Sequence, residues 1–226
     1  MVNSGGEFDR IATHVYEKYA CKSKVIGLGS GSTVSSVLTL MAKVNKMNGL
    51  KFIPSSLQIR RVAESLKLEF ADESKIPDID FVMDGADQID SEFNMIKGGG
   101  GALLKEKILI DAAEKVAIIC HAHKFVKSFN VPIPIEVHRF ARATVFDRLE
   151  KLGLRSSLRL LQKGFPYITE SGNVIYDSQI SHGYNAKELE RSILLIPGVI
   201  EVGLFSKLAD SYYKLNLDGT FTIEKP

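Results

Sequence analysis

The sequence predicts an α/β fold, a Rossmann-like parallel-sheet domain carrying a small ferredoxin-like α+β domain. Two observations lead there. Over the first half, short β-branched segments alternate with helical stretches, the pattern of a parallel sheet flanked by helices. From about Val131 the order becomes strand, helix, strand, strand, helix, strand, which is that of a split βαβ unit. At 226 residues with 45% hydrophobic side chains, the chain is long enough to bury a core without disulfide or metal staples.

Lys24 to Leu28 (KVIGL) reads as a strand running at once into small residues. The following VSSVLTLMAKV places Val34, Val37, Leu38 and Met41 on one helical face. KFIPSS, LEFAD, IDFVMDGA and KVAIICHA read as further short strands, with helices near Ile59 to Leu66 and Leu103 to Glu114. In the later half the strands are PIPIEV, SSLRLL, NVIYDS and VIEVGLF, and the helices ATVFDRLEKL and AKELERSILL. The tail YYKLNLDGTFTIEK reads as a hairpin over Asp218-Gly219. Residues 1–130 and 207–226 are expected to form the Rossmann-like domain, and residues 131–206 the small one.

Composition narrows the function classes. The 29 basic and 27 acidic residues leave a charge of +2, which argues against a broadly basic nucleic-acid or membrane-surface binder. Cys21 and Cys120 have no CxxC spacing, so a zinc knuckle or redox motif is not expected. The polar start MVNSGGEFDR lacks the apolar stretch of a signal peptide and no run approaches a membrane span, so the expected location is cytoplasmic.

Three segments carry candidate chemistry. GLGSGSTV, Gly27 to Val34, lies at a strand-to-helix junction, where backbone amides and the hydroxyls of Ser30, Ser32 and Thr33 can cradle a phosphate. A dinucleotide is a weaker match, because Ser32 stands where the third glycine of GxGxxG belongs. A tight turn capped by Ser and Thr is the plain alternative. In FVMDGADQID, Phe81 to Asp90, an apolar strand ends in Asp84, Gly85, Ala86 and Asp87, at the end of a strand where ligands of open α/β sheets gather. Those carboxylates suit sugar hydroxyls, a magnesium ion, or a capped turn. In MIKGGGGALLKEK, Met95 to Lys107, Lys97 and four glycines precede Glu106, which supplies amides and a cation for an oxyanion and a carboxylate to move a proton. A flexible linker beside a solvated helix face is the alternative there.

Together these segments, in this order with HAHKF, VPIPIEV, SGNVIYD and IPGVIEVGLF, resemble the A-type ribose-5-phosphate isomerase family over nearly the whole chain. The resemblance implies an aldose-ketose isomerase that interconverts ribose 5-phosphate and ribulose 5-phosphate through an enediol(ate), in the non-oxidative branch of the pentose phosphate pathway. It implies no metal and no cofactor. Glu106 then matches the base, Asp84 and Asp87 the acidic pair, and Lys97 with Gly98, Gly99 and Gly100 the oxyanion loop. Ser30, Gly31, Ser32 and Thr33, with Gly85, Ala86 and Lys124, match the substrate-binding positions. A homodimer or dimer of dimers is implied, with no nucleic-acid or membrane partner. Three departures stand out: Ser30 where Thr is frequent, Gln88 where Glu is frequent, and Gly101 where Ala is common.

Two rival classes remain. One is a nucleic-acid or regulatory binding module: Arg139 to Lys163 holds seven basic and two acidic residues, which suits an acidic partner, a subunit interface or a solvated helix face. The other rival is a metal-dependent or NAD-dependent sugar-phosphate enzyme. His121 and His123 would share one face of a continuing strand, but two ligands alone make a weak metal site.

Overall fold

The computed structural model describes residues 8–44, 47–72, 78–180 and 183–226; most of the polar opening segment, residues 1–7, lies outside them. In chain order the elements are α1 (Asp9–Lys18), β1 (Val25–Leu28), α2 (Ser32–Val44), β2 (Lys51–Pro54), α3 (Leu57–Ser65), β3 (Glu69–Phe70) and β4 (Ile79–Asp84). Then come β5 (Gln88–Ile89), β6 (Met95–Ile96), α4 (Leu103–Ala112), β7 (Ala113–His121), β8 (Ile133–Val137), α5 (Arg142–Lys151) and β9 (Arg155–Leu158). The chain finishes with β10 (Val174–Gln179), α6 (Ala186–Leu194), β11 (Val199–Val202), β12 (Leu204–Phe205), β13 (Ser211–Leu215) and β14 (Phe221–Glu224).

The contacts divide the chain into two units: Met1–Gly85 with Lys105–Phe125 and Ala209–Pro226, and Ala86–Leu104 with Val126–Leu208. The first holds a seven-stranded sheet in the order β14-β13-β7-β4-β1-β2-β3. All neighbours pair in parallel except the β13–β14 hairpin. The six parallel strands, numbered among themselves in chain order, lie 3-2-1-4-5-6, the doubly wound order, with its switch point between β1 and β4. β4 carries consecutive buried side chains, Phe81, Val82 and Met83, because helices cover both faces of such a sheet, while β1 buries Ile26 and Leu28. Val34, Val37, Leu38 and Met41, the stripe expected on α2, are all buried in this core. Helix α1, unread in the sequence, contributes Ile11, Ala12 and Val15 to it.

The second unit contains an antiparallel sheet in the order β11-β8-β10-β9, with α5 and α6 between its strands in sequence. Its core gathers Ile133, Ile135, Val137, Val145, Leu149 and Ile193. A smaller sheet, β12-β6-β5, belongs to the same unit. Here the structure differs from the expected division at 131 and 206. Residues 86–104 group with the second unit, because β6 pairs with β12 and Ile96 joins the second core. The segment VIEVGLF is also two strands, since Gly203 donates to Pro134 O at 2.6 Å and accepts from Lys97 N at 2.9 Å, passing the chain from β8 to β6.

Candidate active site

In the first unit, the loop after β1 lies against the end of β4. Gly29 N donates to Met83 O at 2.9 Å. A Cβ built on Gly29 would fall 1.8 Å from Asp84 Oδ1, so only glycine lets the loop and that carboxylate occupy adjacent places. Asp84 is 1% exposed, and its Oδ1 accepts from Gly85 N–H at 2.7 Å. This is the switch point, where the carboxyl ends of diverging strands open a crevice for ligands.

Glu106, in the first turn of α4 and 4% exposed, reaches the same loop: Ser30 Oγ donates to Glu106 Oε1 at 2.5 Å. A hydroxyl bonded to a carboxylate this closely fixes its orientation, and charge-assisted bonds of this type are roughly twice as strong as neutral ones. Ser32 opens α2 and is exposed, while Thr33 beside it is buried, so the hydroxyls of the expected phosphate turn do not share one environment.

Gln58 was not legible as part of this loop. Gly31 N–H donates to Gln58 Oε1 at 3.0 Å, Gln58 Nε2 donates to Ser35 Oγ at 2.9 Å, and Ser35 Oγ donates to Gly31 O at 2.8 Å. The three bonds close a ring around Gly31. Such a partner comes from α3, and no spacing within GLGSGSTV announces it.

Lys124 ends a one-turn 3-10 helix, Ala122–Lys124, directly after β7, and is partly buried. Because the strand stops at His121, strand alternation does not relate His121 to His123 as expected. Their rings stack instead, with centroids 5.6 Å apart. Among the described residues no group of three or more His, Cys, Asp or Glu side chains could hold a metal ion.

In the second unit, Asp87 N donates to Ile96 O at 2.7 Å, and Asp87 Oδ2 accepts from Gly99 N–H at 2.8 Å. Lys97 is 2% exposed, with its Nζ 5.7 Å from the centre of the Phe205 ring. Ala86 is buried, and Gly98 turns with φ +96° against Leu103. Gly101 N–H donates to Gly98 O at 2.9 Å, closing the glycine run into a turn. The chain crosses between units at Gly85–Ala86 and at Leu104–Lys105, so both crossings fall inside motifs singled out from the sequence.

A doubly wound sheet with a glycine turn at its switch point, and a buried carboxylate gripped by a hydroxyl there, defines an α/β enzyme suited to proton transfer on a small ligand. Residues 51–219 match the family model described as ribose 5-phosphate isomerase A (phosphoriboisomerase A). The ribose-5-phosphate isomerase of Schizosaccharomyces pombe is 34% identical over 225 residues, covering 96% of this chain and 82% of that protein. The ribose-5-phosphate isomerase A of Archaeoglobus fulgidus is 40% identical over 188 residues, covering 81% and 83%. A solved D-ribose-5-phosphate isomerase in complex with phospho-erythronic acid superposes with a TM-score of 0.89 at 30% identity, over 97% of this chain and 98% of that one. The ribose 5-phosphate isomerase A of Methanocaldococcus jannaschii gives 0.86 at 30% identity, over 98% and 97%. The chain belongs to the ribose 5-phosphate isomerase A family.

Proposed function

We propose that this isomerase interconverts ribose 5-phosphate and ribulose 5-phosphate, with Glu106 as the proton-transferring base. The observation that carries the assignment is the 2.5 Å bond from Ser30 to a carboxylate that is 4% exposed. A base pinned in one orientation at the switch point meets the geometric demand of proton transfer before any question of its strength.

In the proposed reaction the Glu106 carboxylate takes the proton from C2 of the open aldose. The C–H electron pair forms the C1–C2 double bond, and the carbonyl pair moves onto O1 as an oxyanion. A proton passes from O2 to O1, Glu106 returns its proton to C1, and the C2 carbonyl forms. A carboxylate of ordinary strength, with a reference pKa of ~4.3, deprotonates such a carbon only if the oxyanion is stabilised as it develops. We assign that task to the Lys97 ammonium and to amides of the glycine loop. Since Gly99 N–H donates to Asp87, the amides of Gly98 and Gly100 are the candidate donors. Asp84 is assigned to proton transfer in ring opening and Asp87 to a sugar hydroxyl. Ser30 to Thr33 and Lys124 are assigned to the substrate, with its phosphate as the natural anion for the loop and the N-terminus of α2.

The test is to incubate the purified protein with ribose 5-phosphate and follow ribulose 5-phosphate. Turnover that survives prolonged chelation is expected; turnover abolished by chelator and restored by a metal would contradict the metal-free assignment. We further propose that the enzyme works in the cytoplasm as a homodimer or dimer of dimers. No helix among the described residues is long and apolar enough to cross a membrane. Sedimentation would read the oligomeric state directly. No affinity for nucleic acid is expected from the basic stretch, and a salt-dependent affinity would reverse that.

A further inference from the structure

Two side chains of the second unit hold three successive carbonyls of the glycine loop through three hydrogen bonds. Arg159 Nη1 donates to Gly98 O at 2.9 Å and to Gly99 O at 3.0 Å, and Tyr167 Oη donates to Gly100 O at 2.9 Å. The arginine is itself braced. Its Nε donates to Asp177 Oδ2 at 2.9 Å and its Nη2 to Asp177 Oδ1 at 2.5 Å, a two-pronged pair whose side chains are only 14% and 22% exposed. Tyr167 N donates to Arg159 O at 2.9 Å and Arg159 N to Ile175 O at 2.8 Å, so both side chains hang from backbone that is paired. The guanidinium also lies 5.8 Å from the centre of the Tyr167 ring.

Because a trans peptide is planar, its C=O and the following N–H point in opposite directions, and holding one aims the other. Fixing Gly98 O thus aims Gly99 N–H, which donates to Asp87, and fixing Gly100 O aims Gly101 N–H, which donates to Gly98 O. The remaining member is the Gly99–Gly100 peptide. Its carbonyl is held by Arg159, so the direction of the Gly100 N–H is set by that guanidinium. Consecutive glycines have no side chains to resist a peptide flip, and an external clamp has to supply the restraint.

We propose that the Arg159–Asp177 pair and Tyr167 are positioning residues that hold the Gly98–Gly101 loop in one peptide arrangement, so that the Gly100 amide is preorganised as an oxyanion donor. The inference rests on the isomerase reading above. It gives a purpose to one charge of the basic stretch Arg139 to Lys163, and it explains Gly101. A Cβ there would fall 2.2 Å from Tyr167 Oη, on backbone with φ +82°, so the fourth glycine is matched to the tyrosine that grips the loop.

The experiment pairs Arg159→Lys and Tyr167→Phe, reading steady-state kinetics with ribose 5-phosphate and hydrogen exchange of the segment 98–103 in the substrate-free protein. Lysine keeps the charge but loses the planar fork that binds Asp177 and two carbonyls together. For Arg159→Lys we expect kcat to fall by about tenfold or more with KM changed by no more than about twofold, since an oxyanion donor acts in the transition state. Exchange in segment 98–103 should quicken about tenfold while the core of the second unit stays protected. Tyr167→Phe should act in the same direction to a smaller extent. If Arg159→Lys fails to fold, Tyr167→Phe decides, because it removes one oxygen from a partly exposed ring. Unchanged loop exchange in the folded variants overturns the proposal, as does a rise in KM at constant kcat. Wild-type protein without isomerase activity would instead refute the functional reading, and the exchange comparison would still decide whether the loop is clamped.

Discussion

Ser30 Oγ and Glu106 Oε1 lie 2.5 Å apart, joining the turn after β1 to the first turn of α4 across 76 residues of sequence. With the carboxylate at 4% exposure, the serine hydroxyl sets which lone pairs face the ligand side. Glu106→Gln keeps the shape and an oxygen to accept from Ser30, yet removes the basic site. We expect kcat to fall at least about 10²-fold with little change in thermal stability. Ser30→Ala should lower kcat less, by about tenfold, through a carboxylate no longer held in one orientation. Near-normal turnover in the Glu106→Gln protein, measured by ribulose 5-phosphate formation, would sink the assignment.

A second prediction concerns Gly29. An added methyl would fall 1.8 Å from Asp84 Oδ1 and 2.6 Å from Asp84 Cβ, in a place with no solvent to yield into. Gly29→Ala therefore has to shift either the loop or the end of β4. Overpacking of this kind destabilises by about 1–3 kcal/mol. Activity should fall more steeply than stability, because the displaced group is the one assigned to ring opening. Gly31 is the control: a Cβ there meets nothing within 4 Å, though φ is +97°. Gly31→Ala should give a smaller loss of stability, about 1 kcal/mol, and act mainly on KM. Urea unfolding and kinetics on the two variants would separate them, and equal effects would refute the steric argument.

Where elements were read correctly in the sequence, the signal was local. The buried strands around Phe81 and Ile118, the stripe on α2 and the Asp218-Gly219 hairpin each declare themselves within a dozen residues, because period and turn chemistry are short-range. Glycine runs likewise announced the loops at Gly29 and Gly98, where the backbone needs room. What escaped was long-range. Gln58 closes on Gly31 from α3, and Arg159 and Tyr167 grip a loop about sixty residues earlier. Neither side chain is of unusual type for its own segment, so nothing nearby marks it. The division at residues 86–104 was missed for the same cause: two-residue strands such as Met95–Ile96 have no period to read, and their unit is set by pairing with Leu204 and Phe205.

The two lysines make separable predictions. Lys97 is 2% exposed and sits next to the glycine loop in sequence, whereas Lys124 is only partly buried, at the end of the 3-10 turn that follows β7. Lys97→Met keeps the stem and removes the ammonium, and should lower kcat by about 10² to 10³, the loss typical of one oxyanion donor. Lys124→Ala should raise KM with a smaller effect on kcat, as expected for a charge that binds the ground state and transition state alike. An unchanged KM and kcat in Lys124→Ala would remove it from the substrate site. A change confined to KM in Lys97→Met would exclude it from oxyanion stabilisation.

The last prediction is of pH dependence, and it concerns stability. His14 Nδ1 lies 2.9 Å from Tyr213 Oη, with its ring edge-on to Tyr213 and Phe221 at 5.6 and 5.7 Å. Burial pushes the Tyr213 phenol well above its usual range, so its hydroxyl stays protonated and pairs with the neutral His14 ring in either tautomer, as donor or as acceptor. Burial, and then the neighbouring Lys18 charge, lower the His14 pKa from its ordinary 6.5, with Glu17 opposing in part. A histidine whose folded pKa lies below its unfolded one binds more protons when unfolded, over the interval between the two values. Stability therefore rises with pH across that interval. The contribution is fully present above about 6.5 and is lost as pH falls through the folded value. His14→Gln retains a side-chain acceptor for Tyr213 but has no proton to gain in this range. Melting temperatures compared at about pH 7.5 and 5.5 should fall further in the wild type than in the variant, histidine titrating with an ordinary pKa near 6.5. If both proteins lose the same amount, the pH dependence belongs to other groups and the half-buried, neutral His14 is excluded as its source.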